Sequence, residues 1–220
     1  MAGGLARARD LLRLVFTGRG RRMWRSVTYR FYSNSTSVGL RRDLRAPVTA
    51  PTAKRAFHVR PLAPGDTLSW LDVGEQGLSD DQVYARMGQV RLLRSGIETC
   101  HLAVDHDGQA CYMQWLILSN ENQRVRAFFG SLYPRLAPDE ALLEGAYTPE
   151  ACRGQGIMAS AMARIAERAG DFGARWVVTF VDETNAASLK GCARAGFVPY
   201  LRRRETFRLF HRRVRFTPLS

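Results

Sequence analysis

The residues best suited to bind an anion lie in the segment Arg153-Gly154-Gln155-Gly156-Ile157-Met158. Glycines let the backbone come close to a ligand, and free N–H groups at a helix start attract negatively charged oxygens. An apolar strand over residues 141–147 precedes this segment, and an amphipathic helix over residues 156–169 follows it. The spacing predicts a pyrophosphate site with the cation of Arg153 beside it. A tight strand-to-helix turn without a ligand is the alternative.

The same glycines formally match the dinucleotide-binding fingerprint Gly-x-Gly-x-x-Gly/Ala, with Ala159 in the last position. In that motif the strand runs almost directly into the first glycine, whereas here residues 148–152 intervene. Only one more helix-spaced strand follows, and no suitable acidic residue stands at its end. The dinucleotide site is therefore the weaker hypothesis.

A carboxylate, Glu144, stands in the apolar strand that leads into the glycine segment. Side-chain alternation places Glu144 on the same face as Leu142 and Ala146, and Tyr147 on the opposite face. Desolvation among apolar neighbours raises the pKa of a carboxyl group, which suits a general base acting on an amine. A structural glutamate, held by an ion pair or hydrogen bond, explains the pattern equally well.

The elements that must position these residues form a mixed α/β pattern over residues 56–220. Asp107-Gly108 predicts a hairpin turn, and Ser79 with Gln82 predicts a capping box at a helix start. Strands are predicted over residues 57–60, 98–105, 109–118, 125–129, 141–147, 175–180, 197–201 and 205–216. Helices are predicted over residues 64–71, 79–95, 156–169 and 185–194.

The pattern Arg153-x-x-Gly156-x-Met158 resembles the coenzyme A loop of the GCN5-related N-acetyltransferase (GNAT) family, which reads Arg/Gln-x-x-Gly-x-Gly/Ala. A second block agrees, because Asn185 stands at a helix start and Gly196-Phe197 follows that helix. Met158 departs from the family pattern. The resemblance covers about three quarters of the chain. It implies a mixed, mostly antiparallel central sheet flanked by helices.

The resemblance implies that acetyl-CoA or another acyl-CoA is the co-substrate, without a metal. Backbone N–H groups of the glycine segment are expected to bind the pyrophosphate. Asn185 is expected to reach the pantetheine arm or only to cap its helix. The strand at Tyr147 is expected to splay from its neighbour and pair with the pantetheine amides. The implied donor-binding residues are Tyr147, Arg153, Gly154, Gln155, Gly156, Ile157, Met158 and Asn185.

The general acid is less clear from the resemblance. The family often places a tyrosine five residues before the phenylalanine of its Gly-Phe pair, where this chain has Cys192. A thiol with an ordinary pKa of about 8.5 can protonate a thiolate leaving group. Cys192 is also explained as a small packing residue. Tyr147, Tyr200 and water are the alternative proton donors.

The positive charge is concentrated at the N-terminus. Residues 1–55 contain 12 Arg, one Lys and two acidic residues, whereas residues 56–220 contain 20 basic and 18 acidic residues. Residues 1–55 are predicted to form a basic extension, with a helix over residues 5–16 and a Pro/Thr-rich linker over residues 46–54. Residues 56–220 are expected to fold without it.

The extension suits either an acidic carrier protein or an anionic membrane surface. Nucleic acid is the weaker interpretation, although aromatic residues lie among the arginines. The arginine content is also explained by genomic base composition alone.

No apolar run approaches the roughly 18 residues of a membrane-spanning helix. The four cysteines form no C-x-x-C pair, which favours a reducing compartment without zinc or disulfides. A cytoplasmic location, free or peripheral to a membrane, is expected. Three functions stay open. They are an N-acetyltransferase acting on a primary amine of a small acceptor, an N-acyltransferase using a longer donor on coenzyme A or a carrier protein, and a non-catalytic coenzyme A-binding regulatory module.

Overall fold

The computed structural model describes residues 28–219. Its strands are β1 (Tyr32–Asp43), β2 (Phe57–Pro61), β3 (Cys100–Asp105), β4 (Ala110–Leu118), β5 (Glu140–Tyr147), β6 (Trp176–Asp182), β7 (Val198–Arg208) and β8 (His211–Pro218). They form one sheet in the order β2-β3-β4-β5-β6-β1-β7-β8. Only β5 and β6 pair in parallel; every other neighbouring pair is antiparallel. The mixed, mostly antiparallel sheet predicted from the sequence is confirmed.

The α-helices of the described residues are α1 (Asp80–Leu93), α2 (Asn122–Phe129), α3 (Ile157–Arg168) and α4 (Ala186–Arg194). The predicted capping box at the start of α1 is present. The Ser79 hydroxyl accepts the backbone N–H of Gln82, and the Gln82 side chain accepts the backbone N–H of Ser79. Within residues 28–219, no helix has the length and apolar character required to cross a membrane.

Three predicted elements were wrong. The single strand predicted over residues 205–216 is interrupted by a turn at Leu209-Phe210, which separates β7 from β8. Residues 122–129 form helix α2 rather than a strand, because a helix turns Val125, Phe128 and Phe129 together toward the core. Residues 64–71 contain only a single 3-10 turn over Ser69–Leu71. Gly65 adopts a φ of 98° there, which breaks the helical path.

The core lies on both faces of the sheet. Helices α3 and α4 cover one face, where α3 contributes Ala161, Met162 and Ile165, each at most 1% exposed. Small alanines on α3 let the helix approach the strands closely. Helix α1 and the turn Ser69–Leu71 cover part of the opposite face, together with residues 128–136. The candidate site residues lie where the strands between these layers separate.

Strand β1 occupies a central position, between β6 and β7. Its Leu40 and Arg42 side chains are buried on the face that α3 covers, at 2% and 3% exposure. The Arg42 guanidinium donates to the carbonyl of Ala163 over 3.0 Å and pairs with Glu167 on α3 over 3.0 Å. Residues 32–43 therefore belong to the sheet, which differs from the prediction of an extension over residues 1–55 and a domain over residues 56–220. The predicted helix over residues 5–16 lies outside the described residues.

Candidate active site

Strands β5 and β6 separate toward their C-terminal ends. They pair at only three positions, from Glu140↔Trp176 to Leu142↔Val178. Strand β5 nevertheless continues to Tyr147. The edge of β5 after Leu142 therefore faces an opening rather than a neighbouring strand. An extended ligand with amide groups can pair with such an edge, as the resemblance implied for the strand at Tyr147.

A β-bulge at Gly145 directs the side chains at this opening. Gly145 has a φ of 67°, and the register between β4 and β5 shifts by one residue here. A Cβ at Gly145 would lie 2.7 Å from both Leu92 and Trp115, so glycine fits best. The bulge brings Tyr147 to the same face as Leu142. The predicted assignment of these two residues to opposite faces was wrong, because one extra residue reverses the alternation.

Glu144 lies on β5 at the opening and contacts Tyr133 from the loop between α2 and β5. The Tyr133 hydroxyl donates a hydrogen bond of 2.5 Å to Oε2 of Glu144. Burial raises the pKa of Glu144, whereas the hydrogen bonds from Tyr133 and the Gly145 N–H, and the charge of Arg203, lower it. Burial dominates, so the pKa of Glu144 stays above its ordinary value. A carboxylate of this kind accepts a proton more readily than an exposed one.

Tyr133 itself remains a hydrogen-bond donor. It is 8% exposed, and burial, followed by the charge of Glu144, raises its pKa well above the ordinary value. Its ring packs edge-on against Phe129 and Phe180, with centroids 4.9 and 5.4 Å away. The carboxylate therefore borders an aromatic surface.

Arg203 on β7 is the cation closest to this group. Its guanidinium lies over the rings of Tyr133 and Phe180, 5.3 and 4.9 Å from their centroids. It is held by the Ser37 hydroxyl at 2.9 Å and the Leu132 carbonyl at 3.3 Å. The sequence analysis missed Tyr133 and Arg203, because no local motif marks them. Only the pairing of β1 with β7 brings Arg203 toward the opening.

Tyr147 closes the side of the opening nearest the glycine segment. Its ring stacks on Trp70, with centroids 5.1 Å apart and planes inclined by 7°. The side chain is 6% exposed, and its buried hydroxyl makes no hydrogen bond of ordinary geometry within residues 28–219, although the Arg86 guanidinium lies near it. A buried hydroxyl without a partner is costly unless a ligand or water satisfies it. Tyr147 can therefore supply a hydrogen bond to a bound molecule.

The glycine segment has the geometry of an anion cradle. Gly154 and Gly156 have φ values of 73° and 76°, and a Cβ at Gly154 would meet no atom within 4 Å. Gly156 precedes α3 and offers no side-chain oxygen, so the first-turn N–H groups of α3 have no side-chain cap. Ser160 makes the first helical bond, to the Gly156 carbonyl, at 3.3 Å. The positive helix end and open backbone fit a phosphate group.

Contacts with neighbouring residues hold the glycine segment in place. Arg153 pairs with Glu150 over 2.9 Å and donates to the carbonyl of Thr148 over 3.1 Å. The backbone N–H of Lys54 donates to the Gln155 carbonyl over 2.8 Å. The predicted linker over residues 46–54 therefore packs against the glycine segment. Because the Arg153 guanidinium is paired with the Glu150 carboxylate, it attracts a bound anion less strongly.

Two further implied donor residues have structural roles at the neighbouring helix. Asn185 caps α4, because its Oδ1 accepts the backbone N–H of Ser188 over 3.0 Å. The Met158 sulfur would lie 3.0 Å from a Cβ at Gly191 on α4. Because Gly191 has no side chain, it leaves room for the side chain of Met158. The family pattern has glycine or alanine at the position of Met158.

The sequence candidates for the general acid do not all reach the opening. Cys192 is fully buried on α4, and burial raises its pKa to about 12, so it releases a proton poorly. Tyr200 lies beneath Arg41, whose guanidinium also covers Trp176. Trp176 marks the end of β6 where it pairs with β5, opposite to the opening. Tyr147 is the candidate at the opening itself.

Residues 90–197 match the model of the acetyltransferase (GNAT) family. No curated protein matches the chain. Solved structures share its fold. A region of a fungal multi-domain GH3 β-N-acetylglucosaminidase, described as a GCN5-related glucosamine N-acetyltransferase region, is 14% identical with a TM-score of 0.54, over 86% of this chain and 23% of that one.

A functionally unknown conserved protein from Staphylococcus epidermidis ATCC 12228 is 13% identical with a TM-score of 0.50, over 81% of this chain and 63% of that one. A GNAT-family acetyltransferase from Colwellia psychrerythraea is 13% identical with a TM-score of 0.49, over 86% of this chain and 57% of that one. The chain thus spans less than two thirds of the length of each of these structures. At such identities the likeness shows the fold alone.

Proposed function

Because residues 90–197 carry an acetyltransferase domain of the GNAT family, we propose that the protein moves an acetyl group from acetyl-CoA to a primary amine of a small acceptor. The observation that carries this proposal is the opening between β5 and β6. One continuous strand–loop–helix unit, β5 to α3, places a half-buried carboxylate at the opening and an uncapped, glycine-rich helix start just beyond it. The carboxylate can accept a proton from an amine, and the helix start can bind a pyrophosphate.

The donor site is assigned to the glycine segment and the free edge of β5. Backbone N–H groups from Gly154 to Met158 bind the pyrophosphate of the coenzyme. The open space at Gly154 and the absence of a side-chain cap on α3 support this assignment. The pantetheine amides pair with β5 between Leu143 and Tyr147. Asn185 caps α4 through its oxygen and has its amide N–H groups left for the pantetheine arm.

Glu144 is the proposed general base. The amine attacks the thioester as the neutral species, and its nitrogen must lose one proton as the amide bond forms. Glu144 accepts that proton, directly or through a water molecule. A bond then forms between the amine nitrogen and the acyl carbon, the carbon–sulfur bond breaks, and coenzyme A leaves as a thiolate. Because the pKa of Glu144 is raised, its proton affinity is closer to that of the amine than the proton affinity of an exposed carboxylate is.

Tyr147 is the proposed proton donor to the thiolate. Its buried hydroxyl makes no hydrogen bond of ordinary geometry within residues 28–219, and stacking on Trp70 fixes its ring. Cys192, the position that the resemblance pointed to, is a weaker candidate because burial holds its proton more tightly. The Glu144–Tyr133 arrangement favours catalysis over a purely regulatory coenzyme-binding role.

Two measurements test the proposal. Native mass spectrometry of the purified protein should detect bound coenzyme A after incubation with acetyl-CoA. A thiol-release assay with acetyl-CoA and a panel of small primary amines should then detect turnover, and longer acyl donors run beside it measure chain-length preference. A protein that binds no coenzyme A contradicts the donor site. A protein that binds it without turnover on any amine supports the regulatory alternative.

A further inference from the structure

The hairpin between β7 and β8 ends in two residues with an unusual backbone. Leu209 and Phe210 have φ values of 46° and 67°, and they are the non-glycine residues with positive φ within residues 28–219. A two-residue hairpin loop of this kind prefers Asn-Gly or Asp-Gly, since large side chains are strained in the left-handed region. Both side chains are nevertheless apolar and exposed, by 63% and 58%. A strained position filled by exposed apolar residues indicates a use outside the fold.

Neighbouring apolar residues enlarge this tip. Phe31 packs edge-on against Phe210, with ring centroids 6.2 Å apart. The backbone N–H groups of Leu209 and Phe210 donate to the carbonyls of Phe31 and Arg30, at 2.8 and 2.9 Å. Five of the nine exposed large apolar side chains of the described residues cluster here: Tyr29, Phe31, Tyr32, Leu209 and Phe210. Such a concentration is typical of an interaction surface.

A strongly basic surface adjoins the tip. Residues 198–218 hold seven arginines and one glutamate. Arg204 and Arg215 face each other directly across β7 and β8, although like charges in that position repel. Arg202, Arg204, Arg213 and Arg215 are all exposed, and none of their guanidinium groups has a hydrogen bond or ion pair to another described residue.

Two grooves run along this basic face. The groove at the tip, of about 460 Å³, is lined by Leu209 together with Arg208 and Arg213. A second groove of about 930 Å³ continues along the hairpin past four arginines and a single acidic residue, Glu183. The apolar tip and the unpaired cations therefore form one continuous surface.

From this surface we infer that the protein docks on an anionic lipid bilayer, with the tip Leu209-Phe210 inserted at the interface and the four arginines of the second groove, Arg202, Arg204, Arg213 and Arg215, on the headgroups. Apolar side chains that enter the acyl boundary beside cations that contact acidic headgroups are the two components of peripheral membrane binding. This inference goes beyond the acyl-transfer reaction, since none of these residues belongs to the donor or acceptor site.

Residues 1–27, which precede the described part of the chain, are also basic. Their sequence contains seven arginines and one aspartate, interspersed with leucine, valine and phenylalanine. The composition suits the membrane surface on which the tip would rest.

Two other partners fit the surface less well. Single-stranded nucleic acid needs open aromatic rings between its phosphate contacts, whereas Thr206 and Thr217 lie among the arginines on this face and the His211 ring lies at its end, beside the tip. The Arg208 guanidinium lies over one face of the Tyr32 ring, 3.8 Å from its centroid. A second copy of the chain would bring the arginines of both copies together, which opposes association at this face.

The test is co-sedimentation of the full chain with phosphatidylcholine vesicles, with and without phosphatidylserine. Binding is expected only to the acidic vesicles. The double variant L209N/F210N removes the apolar tip, and asparagine tolerates positive φ, so the fold is retained. The double variant R213Q/R215Q removes two charges. Each is expected to lower the partition coefficient roughly tenfold. Matched controls are F172N, at an exposed phenylalanine elsewhere, and R94Q/R194Q, at exposed arginines on α1 and α4.

A second measurement reports insertion of the tip alone, because residues 1–27 could bind vesicles by themselves. Phe210→Trp is expected to gain tryptophan fluorescence that brominated lipids quench, whereas Phe172→Trp is expected to gain unquenched fluorescence. The inference is overturned if brominated lipids do not quench the fluorescence of Phe210→Trp. It is also overturned if the wild type and both double variants bind vesicles equally. Binding to single-stranded RNA but not to vesicles, or a dimer that L209N/F210N dissociates in sedimentation, also overturns it and identifies the other partner. Coenzyme A binding is measured in parallel, and its failure bears on the proposed function alone.

Discussion

The Tyr133 hydroxyl and the Glu144 carboxylate share a hydrogen bond of 2.5 Å at the open end of β5. The tyrosine comes from a loop and the glutamate from a strand, so the contact depends on the fold around the opening. Burial raises the pKa of Glu144 and the hydrogen bond from Tyr133 partly offsets that effect. The pair therefore sets how readily the proposed base takes a proton.

Replacing the proposed base tests its role most directly. Glu144→Gln keeps the shape and the hydrogen bond to Tyr133 but removes the proton acceptor. Turnover is expected to fall by roughly 10²-fold or more, with unchanged coenzyme A affinity. Steady-state rates and calorimetric titration with coenzyme A measure the two quantities. If the variant turns over at the wild-type rate across the pH range, Glu144 has a structural role.

The pH dependence of the wild-type rate follows from the same group. A base must be deprotonated, so the rate is lost as pH falls through the folded pKa of Glu144. That pKa lies above the ordinary value. The acid limb of kcat against pH is therefore expected above the ordinary glutamate pKa of about 4.3, and it should be missing in Glu144→Gln.

Tyr133→Phe tests the hydrogen bond itself. The bond from Tyr133 lowers the pKa of Glu144, so its loss is expected to raise that pKa and to move the acid limb of the rate profile to higher pH. Tyr112→Phe is a matched control, because Tyr112 is also buried and donates to Gln114 over 2.8 Å on β4. An equal shift of the limb in both variants would assign the effect to a general loss of packing.

A pair of isosteric substitutions tests the phosphate cradle. Gly154 has a positive φ that asparagine and aspartate both tolerate, and a Cβ there meets no atom within 4 Å. Gly154→Asp is expected to bind coenzyme A at least about tenfold more weakly than Gly154→Asn, since it adds a negative charge facing the pyrophosphate. Gly156 is a poorer site for this test, because a Cβ there would lie 3.4 Å from the Thr52 carbonyl oxygen. Equal affinities of the two Gly154 variants would argue against the cradle.

Shortening the chain tests the position of β1. A chain that begins at Lys54 lacks the strand that connects β6 to β7, so the hairpin β7–β8 loses its attachment to the sheet. It also loses the buried contacts of Leu40 and Arg42. We expect no cooperative thermal unfolding transition in this shortened chain, monitored by circular dichroism beside the full chain. A well-folded shortened chain that binds coenzyme A would restore the domain boundary first expected near residue 56.

Elements defined by local chemistry could be predicted from the sequence. The glycines before α3, the capping box at Ser79 and the turn at Asp107-Gly108 each depend on residues within a few positions of one another. These signals were enough to find the strand, loop and helix that hold the proposed donor site. The charge at Glu144 also stood out against its apolar neighbours.

Features that depend on distant partners were missed. Residues 33–37 of strand β1 are three serines, an asparagine and a threonine, of which threonine alone favours a strand, and pairing with β6 and β7 orders them. Nothing in the sequence other than Gly145 itself indicates the bulge. Averaging the charge over residues 56–220 also hid the basic hairpin, because acidic residues elsewhere in the domain balance its arginines.

The order of the strands has a consequence for how the protein is made. A ribosome synthesises β1 well before its partner β7. Ser37 and Arg203, which bond through their side chains, are separated by 166 positions in the chain. Pairing of two strands so far apart in the sequence is slow. Until β7 pairs with it, β1 has an exposed edge. Completion of the sheet is therefore expected only after β7 has been synthesised, and nascent chains are most prone to aggregate before that step.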